Sequence, residues 1–285
     1  MDKLDRRLNA YRNEIAAISL KGQVESARFC EPIRRRVLAG CVPMRKAPDA
    51  VLGYETELLA GELVDVYEIA GGFAWGQAVR DGYVGYLPAD ALGDVDPAPT
   101  HRVVVLRTFL YPGASIKATP LGFLPYGAEV AVITSEGDFC RTSQGHVYAP
   151  HLAALPVQAA DPIFEAERFL GVPYLWGGKS SLGVDCSGLV QIVCFACGIT
   201  CLRNSDMQEK GLGTPLVMPN TMELLARGAL LFWPGHVAIS QGNGRMIHAS
   251  GYHMTVESEE IAPALLRLES QGHALRSARL LPGFG

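Results

Sequence analysis

The spacing of apolar residues changes several times along the C-terminal part of the chain. After Cys186, apolar residues recur every three or four positions, at Leu189, Val190, Val193, Cys194 and Cys197. This spacing predicts a helix with Cys186 in its first turn, where backbone N–H groups lack partners and the helix dipole is positive. Both features favour a thiolate, so the pattern predicts a reactive cysteine. The alternative is a buried cysteine that only packs.

Two apolar runs between Gly228 and Ser240 read as strands joined by a turn at Pro234-Gly235. His236 opens the second of these strands. A further short strand after Gly242-Asn-Gly carries His248. A cysteine nucleophile needs an adjacent base and a group that orients that base. The order predicts His236 as the base and His248 as its orienting partner, against the ordinary alternative of surface or core histidines.

The first half of the chain shows short strand patterns separated by glycine turns. One unit includes runs starting at Leu63, Ala74 and Tyr83, and a second unit, from about Thr100, repeats part of this pattern imperfectly. Before them, Leu4, Leu8, Tyr11, Ile15 and Ile18 recur at helical spacing. The predicted divisions are a helical extension at 1–32, β domains at 33–96 and 97–156, and a C-terminal domain at 157–285.

Composition narrows the class of protein. The 285 residues are 48% hydrophobic and 19% charged, with a formal net charge of −4, which favours packed cores and argues against a nucleic-acid partner. No apolar run is long enough to predict a membrane span. The charged start shows no secretory signal, so the expected location is the cytoplasm, or the periplasm or exterior if a leader is missing from this sequence.

The seven cysteines are an odd number, which excludes complete pairing within one chain and favours a reducing compartment. Cys194, Cys197 and Cys201 also suggest a metal or redox site. The first two lie at core spacing on the predicted helix, so packing is the preferred interpretation. No metal and no cofactor are expected.

Four motifs together resemble the NlpC/p60 superfamily of cysteine peptidases. They are Pro173-Tyr-Leu-Trp-Gly-Gly, Asp185-Cys-Ser-Gly-Leu, Pro234-Gly-His-Val-Ala and Ile247-His-Ala-Ser, in that order. The two β units resemble bacterial SH3-like barrels. The resemblance implies an α+β fold, with a papain-like catalytic domain preceded by two small all-β barrels. It also implies a catalytic set of Cys186, His236 and His248.

The resemblance further implies a substrate. Such enzymes hydrolyse the bond between γ-D-glutamate and the next diamino acid, meso-diaminopimelate or L-Lys, in peptidoglycan stem peptides. Members with barrels recognise the free amine of an N-terminal L-Ala through a carboxylate and an aromatic hydroxyl. Here Tyr83 is the first candidate for the hydroxyl and Glu57 for the carboxylate, followed by Tyr86 and Glu55. The alternatives are surface aromatic residues and a solvated turn residue.

Other candidate substrate contacts lie close to the motifs. Asp185 would meet the ammonium, or would only cap the helix. Tyr174 and Trp176 would line the site, with Tyr174 donating to the oxyanion, or would pack in the core. Ser187 would bind the substrate carboxylate, and Ser205 and Asp206 would face substrate from the following loop, or would be plain polar residues.

The expected function is therefore a cysteine peptidase for L-Ala-γ-D-Glu-diamino acid peptides, acting in wall-peptide recycling or turnover. One rival is an inactive wall-fragment binding module, which would not need all three catalytic-type residues. Another is a cysteine acyltransferase or amidase of the same broad fold. Cleavage of a stem tripeptide compared with an acyl ester would separate these hypotheses.

Overall fold

The computed structural model describes residues 4–284 and divides into two compact units, residues 1–157 and residues 158–285. Within the described residues, no helix is both long enough and apolar enough to cross a membrane.

The first unit begins with a segment that is not helical, so the predicted N-terminal α-helix is wrong for residues 4–32. Asp5 accepts a hydrogen bond from the backbone N–H of Arg7 and starts a turn. Apolar side chains then cluster around Trp75, with Ile15 fully buried. Packing against a distant tryptophan therefore outweighs local helical spacing. The segment forms two short strands with a 3₁₀ turn between them at Ile18–Leu20: β1 (Ala16–Ala17) and β2 (Phe29–Cys30).

The next region is a small β structure. Val64 and Val66 alternate with outward residues and face its core. Gly71 and Gly72 both have positive φ in the following turn, a backbone that favours glycine and matches strand twist. The strands are β3 (Ile33–Val37), β4 (Cys41–Met44), β5 (Thr56–Leu59), β6 (Leu63–Ala70), β7 (Phe73–Ala78), β8 (Val84–Pro88) and β9 (Leu92–Gly93).

A second β region follows and packs around Val103, Leu124 and Val147, which are buried together with Ala60 from the first region. The backbone N–H of Glu129 also donates to the carbonyl of Ala60. Its strands are β10 (His101–Val103), β11 (Arg107–Leu110), β12 (Gly122–Pro125), β13 (Glu129–Val130), β14 (Val132–Glu136), β15 (Phe139–Thr142), β16 (Gly145–Tyr148) and β17 (Leu152–Ala154).

Two SH3-like barrels were expected, and the described residues form small separate sheets with no closed barrel. The first region has a five-stranded sheet in the order β8-β7-β6-β3-β9 and a separate β4-β5 hairpin. A bulge between Val66 and Glu68 interrupts β6, and a single bridge between Arg45 and Tyr86 joins the hairpin side to β8. Ladders this short leave the sheet edges unclosed. The second region forms sheets of three, two and three strands.

The second unit is α+β and is built on a six-stranded antiparallel sheet in the order β20-β25-β21-β22-β23-β24. Every residue of β21 is buried, as expected for a central strand covered on both faces. The strands are β18 (Lys179–Ser180), β19 (Gly183–Val184), β20 (Thr214–Leu216), β21 (Ala229–Trp233), β22 (His236–Gly242), β23 (Arg245–Ser250), β24 (Thr255–Glu260) and β25 (Ser277–Leu280).

Helices cover this sheet. The four α-helices are α1 (Pro162–Glu167), α2 (Cys186–Ala196), α3 (Ser205–Gly211) and α4 (Ile261–Ser270). Helix α2 contacts β22 and β23, and Ile261 and Ala264 of α4 join a buried cluster with Ala238 and Met246. Because strand residues alternate between faces, His236 and His248 lie on the α4 side with Ala238 and Met246.

Candidate active site

Cys186 is the first residue of α2, as its sequence context predicts. Asp185 caps this helix by accepting from the Gly188 N–H at 2.7 Å, and its second oxygen accepts from the Gly177 N–H at 2.8 Å. A Cβ added to Gly188 would lie 2.2 Å from the carbonyl oxygen of Gly178. The helix start and the preceding loop are therefore in close backbone contact, which holds Cys186 in place.

A buried ion pair supports the start of α2. Arg203, only 1% exposed, donates to both oxygens of Asp185 at 2.9 and 2.7 Å. It also donates to the Ser187 hydroxyl at 2.8 Å. Asp185 thus takes the capping role that was the alternative for it, and its charge is balanced by Arg203. The substrate-contact roles of Asp185 and Ser187 stay predictions.

The two predicted histidines meet across neighbouring strands. His236 follows the tight turn at Pro234-Gly235 and pairs in register with Trp233. Its Nε2 lies 2.7 Å from Nδ1 of His248 on β23. The Cys186 thiol lies 3.9 Å from the carbonyl oxygen of Gly235, the residue just before His236. The structure therefore brings the cysteine to the turn that carries the first histidine.

Burial controls the charge state of these residues. It raises the pKa of Cys186 to about 12, the Asp185 carboxylate adds to this rise, and the N–H groups of Val237 and Ser187 and the charge of Arg203 oppose it. Burial, followed by His248, lowers the pKa of His236 to about 3. Both shifts favour the uncharged thiol and the uncharged imidazole near neutral pH. The raised pKa of Cys186 runs against the expected low-pKa thiolate, and its largest cause is desolvation.

A cleft of about 230 Å³ lies beside the histidines. Tyr174 lines it, and burial raises the pKa of its hydroxyl, which keeps the group a proton donor. Trp176 is 67% exposed, which excludes the core-packing alternative for it. The cleft is lined by Tyr174, Trp233, Pro234, Gly235, His236, His248, Ser250, Gly251, Tyr252, Arg267, Leu268, Gln271 and His273.

The remaining candidates of the second unit lie elsewhere. Ser205 and Asp206 open α3 and are half-buried, and their substrate roles stay predictions. Cys194 is fully buried in α2, as the packing interpretation expects. Across residues 4–284, no group of three or more metal-ligating side chains is arranged to hold an ion.

The amine-binding candidates lie in the first unit. Tyr83 is 1% exposed and Glu57 is 3% exposed, so the alternatives of surface aromatic and solvated turn residue are wrong for them. The Tyr83 hydroxyl donates to Glu55 at 3.4 Å, and both residues line a cavity of about 230 Å³. Tyr86 instead accepts from Arg12. The structure thus joins Tyr83 to Glu55, the second choice of carboxylate.

Three residues near the site were not predicted from the sequence as site residues. Gln208 donates to the carbonyl oxygens of Ser187 and Leu202 at 3.0 and 2.9 Å and so links α3 to the start of α2. Glu259 and Arg267 lie behind His248. Strand alternation could have placed Glu257 and Glu259 on one face, but nothing in the pattern selects between them.

Family comparisons agree with this geometry. Residues 171–265 match the NlpC/P60 family, and residues 44–92 match the bacterial dipeptidyl-peptidase SH3 domain. The second unit carries an NlpC/P60 domain. The predicted resemblance to the NlpC/p60 superfamily is therefore confirmed. The family match to the SH3 domain includes β5 to β8 of the first β region and leaves out β3.

Curated relatives match parts of the chain. Dipeptidyl-peptidase 6 of Lysinibacillus sphaericus is 40% identical over 85 residues, which is 30% of each chain. Gamma-D-glutamyl-L-lysine dipeptidyl-peptidase of Bacillus subtilis (strain 168) is 31% identical over 193 residues, 62% of this chain and 63% of that protein. The chain thus spans less than two thirds of the length of these relatives.

A solved structure has a similar fold. An NlpC/P60 family protein from Bacillus cereus ATCC 10987 superposes with a TM-score of 0.71 over 87% of this chain and 99% of that chain. The sequence identity is 22%, so this likeness establishes the fold.

Proposed function

We propose that this chain is a cysteine peptidase that hydrolyses the γ-D-glutamyl–diamino acid bond of peptidoglycan stem peptides. The observation that carries the proposal is Cys186 at a helix start, beside the turn that leads into the His236–His248 pair. The name of the Bacillus subtilis relative supports the choice of bond. The diamino acid can be L-Lys or meso-diaminopimelate.

The neutral resting state determines the order of proton movements. His236 accepts the Cys186 proton as sulfur attacks the scissile carbonyl, because a neutral imidazole is a base and a neutral thiol is a poor nucleophile. Tyr174 and the backbone N–H of Cys186 donate to the oxyanion. His236 then protonates the leaving amine, and water hydrolyses the acyl-enzyme. His248 keeps His236 in position through the 2.7 Å contact.

The substrate amine would be recognised by a carboxylate with an aromatic hydroxyl. The Tyr83–Glu55 contact supports these two residues for that role, in place of the first-choice Glu57. A buried ammonium needs such partners. We therefore propose peptides with a free N-terminal L-Ala, such as those released during wall recycling in the cytoplasm, as the substrate.

The test is incubation with L-Ala-γ-D-Glu-L-Lys, with its meso-diaminopimelate counterpart and with an acyl ester, followed by mass spectrometry. The expected products are L-Ala-γ-D-Glu and the free diamino acid, and Cys186→Ala should give neither. Tight binding without cleavage by the folded protein would support a binding module instead. Turnover of only the ester would support an acyltransferase.

A further inference from the structure

A carboxylate lies next to the second histidine of the His236–His248 pair. Nε2 of His248 lies 2.8 Å from Oε1 of Glu259. The ring N–H is not well aligned with that oxygen, but a carboxylate this close still attracts the proton of a neutral imidazole. The strand register explains the contact: Glu259 pairs with Met246, on the same face and diagonal to His248.

Arg267 of α4 holds this carboxylate from the other side. Its guanidinium donates to both oxygens of Glu259, at 2.8 and 2.6 Å, and stacks 4.7 Å from the centre of the Tyr252 ring. Burial alone would raise the pKa of Glu259, but the contacts from His248 and Arg267 lower it well below its usual range. The carboxylate therefore stays ionised and can only accept protons in hydrogen bonds.

An acceptor at this end determines the tautomers of both rings when both imidazoles are neutral. When His248 carries its proton on Nε2, facing Glu259, its Nδ1 is a bare acceptor. The single proton in the 2.7 Å contact must then belong to Nε2 of His236. A neutral His236 has only one ring proton, so its Nδ1 is bare and able to act as a base.

We propose that Glu259 is a positioning residue that selects the Nε2–H tautomer of both histidines and so leaves Nδ1 of His236 free to accept a proton. This inference rests on the proposed function, since it assigns His236 the role of base. Glu259 acts through His248 and does not touch the reacting atoms. The competing explanation is that Glu259 only ties β24 to α4 through Arg267.

The direct test is NMR of the ¹⁵N-histidine-labelled protein near neutral pH, using long-range correlations that report which ring nitrogen carries the proton. His236 and His248 signals are assigned by single His→Gln variants. Both should show the Nε2–H tautomer. A protonated Nδ1 on His248 in the unmodified protein would overturn the proposal, whatever the variants do.

Three variants separate positioning from structural support. Glu259→Gln should redistribute the His248 tautomers, whereas Arg267→Gln removes the tie to α4 but keeps the carboxylate and should preserve them. Glu260→Gln, an exposed neighbour without a side-chain capping bond, is the matched control. Equal tautomer changes in Glu259→Gln and Arg267→Gln would favour the structural explanation and refute positioning.

Kinetics on the stem tripeptide add a second measurement. Glu259→Gln should lower kcat by about 10-fold to 10⁴-fold. The lower value is typical when a residue that supports a functional side chain is lost. The upper value is typical when the loss of a carboxylate reverses the tautomer of a catalytic histidine. KM should change little. Unchanged kcat in Glu259→Gln would contradict the proposal. If the unmodified protein cleaves no stem peptide, the proposed function fails, and the NMR result still decides the tautomer assignment.

Discussion

Replacing Arg203 by Met tests whether the start of α2, which carries Cys186, depends on the buried ion pair between Arg203 and Asp185. The variant keeps an unbranched chain but removes the bonds to Asp185 and Ser187. Breaking one side of a buried ion pair costs about 3–5 kcal/mol, because the other charge stays buried. Asp185 still accepts from the N–H groups of Gly177 and Gly188, so we expect the lower end, about 3 kcal/mol.

Thermal unfolding followed by calorimetry measures this loss. For a unit of this size, about 3 kcal/mol corresponds to a fall in Tm of roughly 10 °C in the transition of the second unit. Arg227→Met is the matched control, because Arg227 forms a similar pair with Asp161 at 2.6 Å but its side chain is 40% exposed. An exposed pair contributes about 0–1 kcal/mol. The reasoning is refuted if both variants lower Tm equally.

The remaining predictions concern catalysis, the thiol and substrate selection. Cys186→Ala should abolish cleavage without unfolding, and His236→Ala should lose about 10²–10⁴-fold; normal turnover in either would exclude the mechanism. Because burial raises the pKa of Cys186 to about 12, iodoacetamide should label this thiol slowly at pH 6 and faster as the pH rises. Cys186→Ala is the control that identifies the label on this residue. Rapid labelling of Cys186 at pH 6 would contradict a neutral resting thiol. Burial lowers the pKa of His236 to about 3, so its contribution to the free energy of unfolding should be complete above about pH 6.5 and should decline as the pH falls towards 3. A His236→Gln variant should lack this decline. An identical pH dependence of Tm in both proteins would exclude this contribution. Acetylating the L-Ala amine should slow cleavage about 10²-fold or more, and Tyr83→Phe should reduce that discrimination; equal rates on both peptides would remove the amine-recognition role.

Local patterns predicted the elements that carry the chemistry. The helix beginning at Cys186 and the strands carrying His236 and His248 follow directly from apolar spacing and from the Pro234-Gly235 turn. These elements are long or sharply bounded, so their periodicity is clear. The N-terminal helix was mispredicted because Ile15 and its neighbours pack around Trp75, which lies far away in the sequence.

The charge state and the supporting residues depended on tertiary structure. The thiolate expectation used the unpartnered N–H groups and the dipole of the helix start, whereas burial of the thiol, which raises its pKa, is a property of the folded site. The contact of Arg203 with Asp185 spans 18 positions of the chain, so no local pattern predicts it. Glu259 meets His248 only because β23 and β24 pair in one particular register.

The sequence by itself determined the order of Cys186, His236 and His248 and the helix or strand that carries each. Those features are local, since turn chemistry and apolar periodicity act over a few residues. Only the tertiary structure decided that Asp185 is neutralised by Arg203, that Tyr83 meets Glu55, and that Glu259 ends the histidine chain. Long-range side-chain contacts and desolvation are properties of the assembled core, and no local pattern encodes them.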